Sequence, residues 1–267
     1  MTPPPDTRPP LDTTALAGLP APFEVETRES VGSTSSLVGE LAREGAREGL
    51  VLVAEHQTAG RGRLGRDWQT PPRAALTFSV LLRPEAAAER WPLLPLLTGL
   101  AVVEGITACG GPPVSLKWPN DVLVREGLKL AGLLAERVDT PQGPAAVVGV
   151  GINVSSTRVE LPVETAASLV TAGMVEPDRT ALLRAVLEAL ARRYVAWRDS
   201  PADDERLLAA YAERCDTVGR DVQVHLPGEQ ILRGRATGID PSGALLVADE
   251  RGTHAVRAGD VVHVRVP

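Results

Sequence analysis

The chain has 267 residues, of which 43% are hydrophobic and 23% charged, a balance typical of a globular protein with a substantial core. Its net charge of −6 excludes a general positive field for gathering nucleic acid or acidic lipid, so any anion site must be local. Two distant cysteines, the absence of a signal-peptide pattern and the lack of any apolar stretch approaching a membrane span lead us to expect a cytoplasmic protein without disulfides.

The first third of the chain begins with a proline-rich segment. Seven prolines and few residues that could pack predict a flexible tail over 1–22. A cluster of hydroxyl residues at 33–36 precedes apolar residues at helical spacing, which predicts a capped amphipathic helix. Two short apolar runs, 50–57 and 75–83, predict buried strands.

The middle of the chain alternates further helices and strands. Turns are expected at Pro119-Asn120 and at Glu126-Gly127, and Asp178 is placed to cap a long helix. Helices are predicted over 91–110, 179–197 and 204–215, and strands within 114–138 and over 145–154.

After Cys215 the sequence changes to five short alternating segments separated by tight turns. Such a pattern over about fifty residues is typical of a small β-barrel.

The stretch AGRGRLGRDWQTPP, residues 59–72, contains a literal G-x-G-x-x-G at Gly60, Gly62 and Gly65. A dinucleotide site requires a helix directly after these glycines, and Trp68 with the prolines that follow it excludes one. No G-x-x-x-x-G-K-[ST] motif is present, so a P-loop is excluded as well.

The same stretch combines flexible glycines with Arg61, Arg63 and Arg66. Guanidinium groups on a mobile loop can fold over a phosphorylated ligand and bind its oxygens. Taken alone, the stretch also fits a solvated charged turn, or an RNA-binding segment with Trp68 as its aromatic partner.

Four segments taken together decide between these alternatives. They are GSTSS at 32–36, EHQTAGRGRLGRDW at 55–68, KWPNDVLV at 117–124 with KLAGLLAE at 129–136, and VGVGINV at 148–154. In order and spacing they resemble the catalytic domain of biotin protein ligases. The resemblance spans about residues 25–200, and the C-terminal segments are similar to the SH3-like domain of that family.

The resemblance implies an α+β fold of the class II aminoacyl-tRNA-synthetase-like type, a mixed sheet with helices over 23–216, followed by a small SH3-like β-barrel over 217–267. It implies a ligase that activates biotin with ATP and Mg2+ to biotinyl-5′-AMP. The biotinyl group then passes to one lysine of a biotin carboxyl carrier protein, the carrier subunit of acetyl-CoA carboxylase. We expect the monofunctional type, which lacks an N-terminal DNA-binding domain and binds neither DNA nor membrane; a homodimer is compatible with the family.

The resemblance also assigns site residues. Ser33, Thr34 and Gln57 would hydrogen-bond the biotin head, and Ser35 stands where the family commonly has asparagine, which leaves its contact open. The residues of the glycine-arginine loop would close over biotin and the adenylate, with Trp68 packing on the closed loop. These loop residues are Gly60, Arg61, Gly62, Arg63, Arg66 and Trp68.

The remaining assignments concern the phosphate end of the site. Arg63, Lys117 and Lys129 are the predicted catalytic cations, Asn120 shapes a turn, and Asp121 helps to hold magnesium. Gly132 and Gly151 would let the ligand lie against strand backbone, and Arg265 would approach the adenine. The residues themselves leave plainer roles open: Ser33 and Thr34 as helix caps, Pro119-Asn120-Asp121 as a turn, and Lys129 as surface charge.

Two rival functions remain at this level. A lipoate–protein ligase is related in fold and chemistry but carries a different acyl group, and the intact GRGRLGR and KWPND segments oppose it. An RNA-binding module built on the arginine loop and the terminal barrel is opposed by the acidic net charge.

Overall fold

The computed structural model describes residues 8–125, 127–226 and 230–264. Two sheets and four α-helices make up this part of the chain. The helices are α1 (Thr34–Arg43), α2 (Leu94–Ala108), α3 (Arg179–Asp199) and α4 (Asp203–Arg214). The strands are β1 (Glu24–Arg28), β2 (Leu50–Ala54), β3 (Ala75–Leu82), β4 (Val114–Lys117), β5 (Asp121–Val124), β6 (Leu128–Thr140), β7 (Gly143–Asn153), β8 (Asp221–His225), β9 (Ile231–Ile239), β10 (Leu245–Asp249), β11 (Gly252–Val256) and β12 (Asp260–His263).

The larger sheet has seven strands in the order β1-β2-β3-β7-β6-β5-β4. Only β1 and β2 pair in parallel, and every other pairing is antiparallel, so the predicted mixed sheet with helices is confirmed. Strand β1 was missed at the sequence level. Its residues are mostly charged and it lies at the sheet edge, so it lacks the apolar run that marks β2 and β3.

Helix α2 forms the centre of the core against α3. Its residues are apolar on nearly every side, which is the composition of a helix buried all round. By length and composition the segment Ala88–Ala108 is able to cross a membrane, contrary to the sequence expectation. In the fold, 67% of the most apolar stretch of this segment is buried, so the segment is a core element. Pro92 lies in a separate 3-10 turn before α2.

The N-terminal segment differs from the predicted flexible tail. Within the described part, residues 8–22, Leu11 and Leu16 are only 7% and 5% exposed and join the main core. Arg8 is buried as well, with an ion pair to Glu160. Proline enrichment indicates that the segment forms no helix, but it does not prevent two leucines from packing against the domain.

The five strands predicted after Cys215 are all present, in a sheet of order β11-β10-β9-β8-β12. Trp118 connects this sheet to the larger one. Its indole is buried and donates to the carbonyl of Gly243 at 2.9 Å, while its backbone N–H donates to Thr217 Oγ1 at 3.1 Å. The turn between β4 and β5 is therefore fixed against the C-terminal sheet.

His263, on β12, provides a test of this junction. Its Nε2 lies 3.0 Å from Thr217 Oγ1, and burial together with the charge of Lys117 lowers its pKa to about 4, against the opposing effect of Asp216. The folded protein thus keeps the imidazole neutral, whereas the unfolded chain protonates it near its ordinary value. The contribution of the neutral imidazole to the free energy of unfolding is therefore fully present above the ordinary histidine pKa. It is lost as the pH falls from there towards about 4.

Between roughly pH 7.5 and 5, His263 should lower the free energy of unfolding of the parent by about 1–2 kcal/mol. We expect His263→Gln to lack this part of the decrease. Urea unfolding of both proteins at the two pH values measures this difference. His254→Gln, on β11, is the matched control and should retain the parent's pH dependence. An equal loss in parent and His263→Gln would contradict the assignment.

Candidate active site

A cavity of about 120 Å³ lies on one face of the larger sheet. Strand register builds its floor: one row across the sheet contains Thr77, Gly151, Gly132 and Asp121, in that order. The two central glycines leave backbone where other residues would project side chains, so they create the depression.

Nearly all predicted site residues line this cavity. Gly60 and Lys117 are the exceptions. The lining residues that were predicted are Ser33, Thr34, Ser35, Gln57, Arg61, Gly62, Arg63, Arg66, Trp68, Asn120, Asp121, Lys129, Gly132 and Gly151. The predicted contact of Arg265 lies outside the described residues.

One end of the cavity is lined by hydroxyl and amide groups. Ser79 Oγ donates to Thr34 Oγ1 at 2.8 Å, and Thr34 Oγ1 donates to Gln57 Oε1 at 3.0 Å. The Thr34 backbone N–H also donates to Gln57 Oε1, at 2.7 Å. Ser35 Oγ lies 3.0 Å from Ser79 Oγ, and because the single Ser79 proton is already directed to Thr34, Ser35 must donate.

These bonds leave the oxygen of Ser35 free to accept, and they hold the Gln57 side chain by its oxygen. Ser33 fulfils the plainer role as well: its side chain accepts from the Ser36 N–H at 3.4 Å and caps α1. The hydroxyl cluster is therefore the start of a helix and the end wall of a cavity at once.

Two residues of this end were missed at the sequence level, Ser79 and Gly149. Ser79 is fully buried in a strand whose other residues are nearly all apolar, and the only signal in the sequence was a hydroxyl residue within that apolar run. Gly149 pairs with Ser79 across the strands, and a Cβ there would lie 2.4 Å from Ser35 Oγ. The alternation of Gly149 and Gly151 places both on the same face of β7.

Residues 60–68, which we call the lid, form a hairpin. Trp68 N donates to Gly60 O at 2.9 Å and Gly62 N donates to Arg66 O at 2.7 Å, with a 3-10 turn at Arg63–Gly65 between them. Leu64 at its tip has φ of 57° and is 71% exposed. The absence of a helix here agrees with the rejection of a dinucleotide fingerprint.

Three arginines connect the lid to its surroundings. Arg61 donates to Glu136 at 2.5 Å and to Ser36 Oγ at 3.2 Å, and Arg66 pairs with Asp260 of the C-terminal sheet. Arg63 extends into the cavity and donates to Asn120 Oδ1 at 3.0 Å.

Asn120 in turn holds β6. Its Nδ2 donates to Leu133 O at 2.9 Å, and its own carbonyl accepts from Leu133 N at 2.8 Å. The turn that carries Asn120 is therefore rigid, and it gives the Arg63 side chain a fixed partner.

Trp68 closes the lid over the glycine floor. A Cβ on Gly151 would lie 2.5–2.8 Å from atoms of the Trp68 indole, so this ring rests directly on the strand backbone. Lys129 Nζ lies 6.0 Å from the Trp68 ring centroid, within the range of a cation–π contact.

The other end of the cavity is charged. Lys129 Nζ forms an ion pair with Asp121 Oδ1 at 2.7 Å, and Arg63 lines the same space. Burial lowers the pKa of Arg63, while the carboxylates of Asp121 and Asp260 act in the opposite direction. A partly desolvated guanidinium facing an open cavity is prepared to receive an anion.

The two predicted residues outside the cavity have other positions. Gly60 lies at the base of the lid, where a Cβ would meet the Trp68 carbonyl oxygen at 2.3 Å, so it permits the hairpin to close. Burial tends to raise the pKa of Asp260, but the hydrogen bond and charge of Arg66, together with the charge of Lys117, keep it below its ordinary value. Lys117 therefore acts on the cavity only indirectly, through its charge on Asp260, the partner of Arg66.

Within the described residues, no three carboxylate, histidine or cysteine side chains converge in a metal-binding cluster. Asp121 is one carboxylate, paired with Lys129. A nucleotide-bound Mg2+ takes most of its ligands from phosphate oxygens and water, so the Asp121 carboxylate fits such an ion without forming a cage for it.

Because the Trp68 ring occupies the space over Gly151, we expect Gly151→Ala to keep the lid from closing. The Michaelis constants for substrates held under the lid should rise roughly tenfold or more, and amide hydrogen exchange over residues 61–68 should accelerate. Gly238→Ala is the matched control, since a Cβ there meets nothing within 4 Å. Unchanged lid exchange in Gly151→Ala would show that Trp68 does not close on this strand.

Comparisons with known proteins agree over both parts of the chain. Residues 29–153 match the Biotin/lipoate A/B protein ligase family, and residues 217–264 match the Biotin protein ligase C terminal domain. The biotin--[acetyl-CoA-carboxylase] ligase of Mycobacterium tuberculosis is 40% identical over 268 residues, covering 97% of this chain and 97% of that protein.

Two more similarities extend this result. The bifunctional ligase/repressor BirA of Bacillus subtilis is 32% identical over 236 residues, covering 86% of this chain and 71% of that protein. The biotin protein ligase from Aquifex aeolicus, solved in complex with biotin and ATP, has a TM-score of 0.76 at 29% identity, covering 91% of this chain and 99% of that chain.

Proposed function

The chain belongs to the biotin/lipoate A/B protein ligase family, and from that premise we propose how its cavity performs the reaction of a biotin ligase. The reaction is the ATP-dependent activation of biotin to biotinyl-5′-AMP, followed by transfer of the biotinyl group to the carboxylase. The observation that carries our assignment of roles is that one cavity, beneath one lid, has an uncharged hydroxyl end and a cationic end.

The hydroxyl end suits the ureido ring of biotin. A ureido group offers two N–H donors and one carbonyl acceptor and carries no charge. Ser35 Oγ has a free lone pair for a ring N–H, and the Gln57 amide, held by its oxygen, can donate to the carbonyl. Matching polar groups are needed here because a buried ring left without partners would lose binding free energy.

The cationic end suits the reacting groups. A carboxylate oxygen of biotin attacks the α-phosphorus of ATP, forming the mixed anhydride as the bond to the pyrophosphate leaving group breaks. Lys129 and Arg63 would stabilise the negative charge that accumulates on these oxygens. The indole N–H of Trp68 is buried without a partner within the described residues, and a bound ligand would supply its acceptor.

The second step needs no enzyme nucleophile. The amine of an acceptor lysine attacks the acyl carbon, AMP leaves, and the nitrogen loses a proton. The lid protects the anhydride from water between the two steps.

Magnesium enters this proposal with ATP. When bound, the ion neutralises phosphate charge, and Asp121 would be its protein ligand. Lys129 Nζ lies 2.7 Å from the same carboxylate.

We further propose the context of the reaction. The acceptor is the biotin carboxyl carrier subunit of a carboxylase, the protein acts in the cytoplasm, it binds no DNA and no membrane, and it can form a homodimer. Residues 23–216 are proposed as the catalytic domain and 217–267 as the C-terminal domain, with the Arg66–Asp260 contact joining the lid to the latter. Lys117 is proposed to assist catalysis through that contact.

Pyrophosphate exchange into ATP tests the function. We expect exchange that depends on biotin and is absent with lipoate or with no acid, because a dithiolane ring has no N–H groups for Ser35. Exchange with lipoate would transfer the assignment to a lipoate ligase. RNA binding with a steep salt dependence and no exchange with either acid would replace it with a nucleic-acid module.

A further inference from the structure

The N-terminal segment contacts Glu55, which precedes the lid, and the loop that follows β7. We call residues 8–12 the brace. One ion pair connects it to the rest of the domain, between the buried Arg8 and the partly buried Glu160. Its backbone also hydrogen-bonds both members of a second, buried pair, Glu55 with Arg179. Neither pair belongs to the cavity lining, so their burial calls for another explanation.

The first contact fixes the base of the lid. Glu55 follows β2, and its carbonyl accepts from Arg73 N at 2.8 Å, which closes the chain segment that carries the lid. Its carboxylate accepts from Leu11 N at 2.7 Å and from Arg179 at 2.6 Å, and Arg179 also donates to Pro9 O at 2.7 Å. The brace therefore supplies two of the bonds that hold Glu55 and Arg179 together.

The second contact fixes the loop after β7. We call residues 154–170 the rim loop. Arg8, only 4% exposed, donates to Glu160 Oε2 at 2.7 Å and to Ser155 O at 3.3 Å. Glu160 in turn accepts from Thr157 N at 2.8 Å and from Thr157 Oγ1 at 2.9 Å. One guanidinium thus holds both the start and the turn of the rim loop.

The rim loop reaches the reacting end of the cavity through backbone. Lys129 N donates to Thr165 O at 2.7 Å, and Ala167 N donates to Lys129 O at 2.8 Å. Asn153 Nδ2 donates to Ala167 O at 3.0 Å. A shift of the rim loop would therefore shift Lys129, whose side chain forms the ion pair with Asp121.

We propose that the brace positions the active site, with Arg8 as a positioning residue that holds the rim loop and, through it, Lys129. This inference rests on the proposed function for its kinetic consequence. Loss of the Arg8–Glu160 pair releases the rim loop, so the end of the cavity that receives ATP loses its fixed geometry while the hydroxyl end does not. Small displacements of groups at a reacting centre cost far more rate than stability.

The kinetic test compares Arg8→Ala, Glu160→Gln and the double variant with the parent in biotin-dependent pyrophosphate exchange. We expect the KM for ATP to rise roughly tenfold in each single variant, with the KM for biotin within about twofold of the parent. The double variant should show no further increase, because both changes remove the same contact. Arg8→Lys, which keeps the charge for Glu160, should recover part of the effect.

Arg184→Ala is the matched control. Arg184 donates to the carbonyls of Ala15 at 2.7 Å and Ala17 at 3.1 Å, so it anchors the same N-terminal segment without touching the rim loop. It should lower the melting temperature and leave the KM for ATP unchanged. An equal rise in KM for ATP in Arg184→Ala, or none in Arg8→Ala and Glu160→Gln, would overturn the proposal.

Hydrogen exchange without substrates separates this inference from the proposed function. We expect faster amide exchange over 155–167 in Arg8→Ala and Glu160→Gln but not in Arg184→Ala. If the parent shows no biotin-dependent pyrophosphate exchange, the proposed function fails, and the amide exchange still decides whether Arg8 holds the loop. Unchanged amide exchange in both variants would overturn the brace.

Discussion

Replacing Lys129 with alanine is expected to slow adenylate formation by a factor on the order of 10³, as for removal of a preorganised charge from a reacting centre. The ammonium group lies at the charged end of the cavity, 2.7 Å from Asp121. Its loss removes a cation from the reacting oxygens and leaves the Asp121 carboxylate beside them without its lysine partner. That carboxylate would then repel the incoming carboxylate and phosphates.

Single-turnover formation of biotinyl-5′-AMP measures this effect without interference from product release. The chain offers a useful control, since Lys117 and Lys129 are its only two lysines. Lys117→Ala should slow the step by about tenfold at most, because Lys117 lies outside the cavity and acts on the Arg66–Asp260 contact. An unaffected rate in Lys129→Ala would remove this residue from the reaction.

Replacing Arg63 with alanine is expected to speed the release of biotinyl-5′-AMP by roughly 10- to 100-fold, as for loss of one or two charge-assisted hydrogen bonds. Arg63 is a lid residue that lines the cavity, where it donates to Asn120 Oδ1 at 3.0 Å. The bound adenylate would lose a phosphate contact, and the lid would lose one of its connections to the sheet. The free energy of unfolding should change by less than about 1 kcal/mol, because the lid is a surface hairpin.

The rate of release of labelled adenylate, together with urea unfolding, separates the two effects. Leu64→Ala is the matched control, because it alters the same turn at an exposed side chain, and it should release the adenylate at the parent's rate. Equal release rates in Arg63→Ala and the parent would refute the assigned role of Arg63. A large loss of unfolding free energy would instead show that Arg63 stabilises the fold.

Much of the cavity was predictable because its residues lie in short contiguous motifs. Trp68, at the end of the lid, and the prolines that follow it already exclude a helix after the glycines. The hydroxyls at 33–35 lie at a helix start, where such residues are expected for capping in any case. The glycines at 132 and 151 were expected to admit a ligand, and their direct pairing across β6 and β7 explains how they form a floor together.

The parts that were not predicted depend on contacts between distant segments. Ser79 joins the hydroxyl end through strand pairing with Gly149, which no local pattern reveals. The brace was predicted to be part of a flexible tail because the N-terminal segment is rich in proline. Its sequence alone does not reveal that Leu11 is buried or that Arg8 pairs with Glu160, 152 positions along the chain. Lys117 shares a motif with Asn120 and Asp121 and pairs with Asp121 across β4 and β5, yet β4 is the outermost strand of the sheet and Lys117 lies beyond the cavity lining.

The central claim is that the cationic lid closes on an acyl-adenylate held between the hydroxyl end and Lys129. A crystal structure of the protein with biotin and ATP tests it most directly. We predict biotinyl-5′-AMP in this cavity, with the ureido ring at Ser35 and Gln57, the phosphate at Arg63 and Lys129, and Trp68 resting on Gly151. An adenylate bound elsewhere, or a lid directed away from an occupied cavity, would contradict the account.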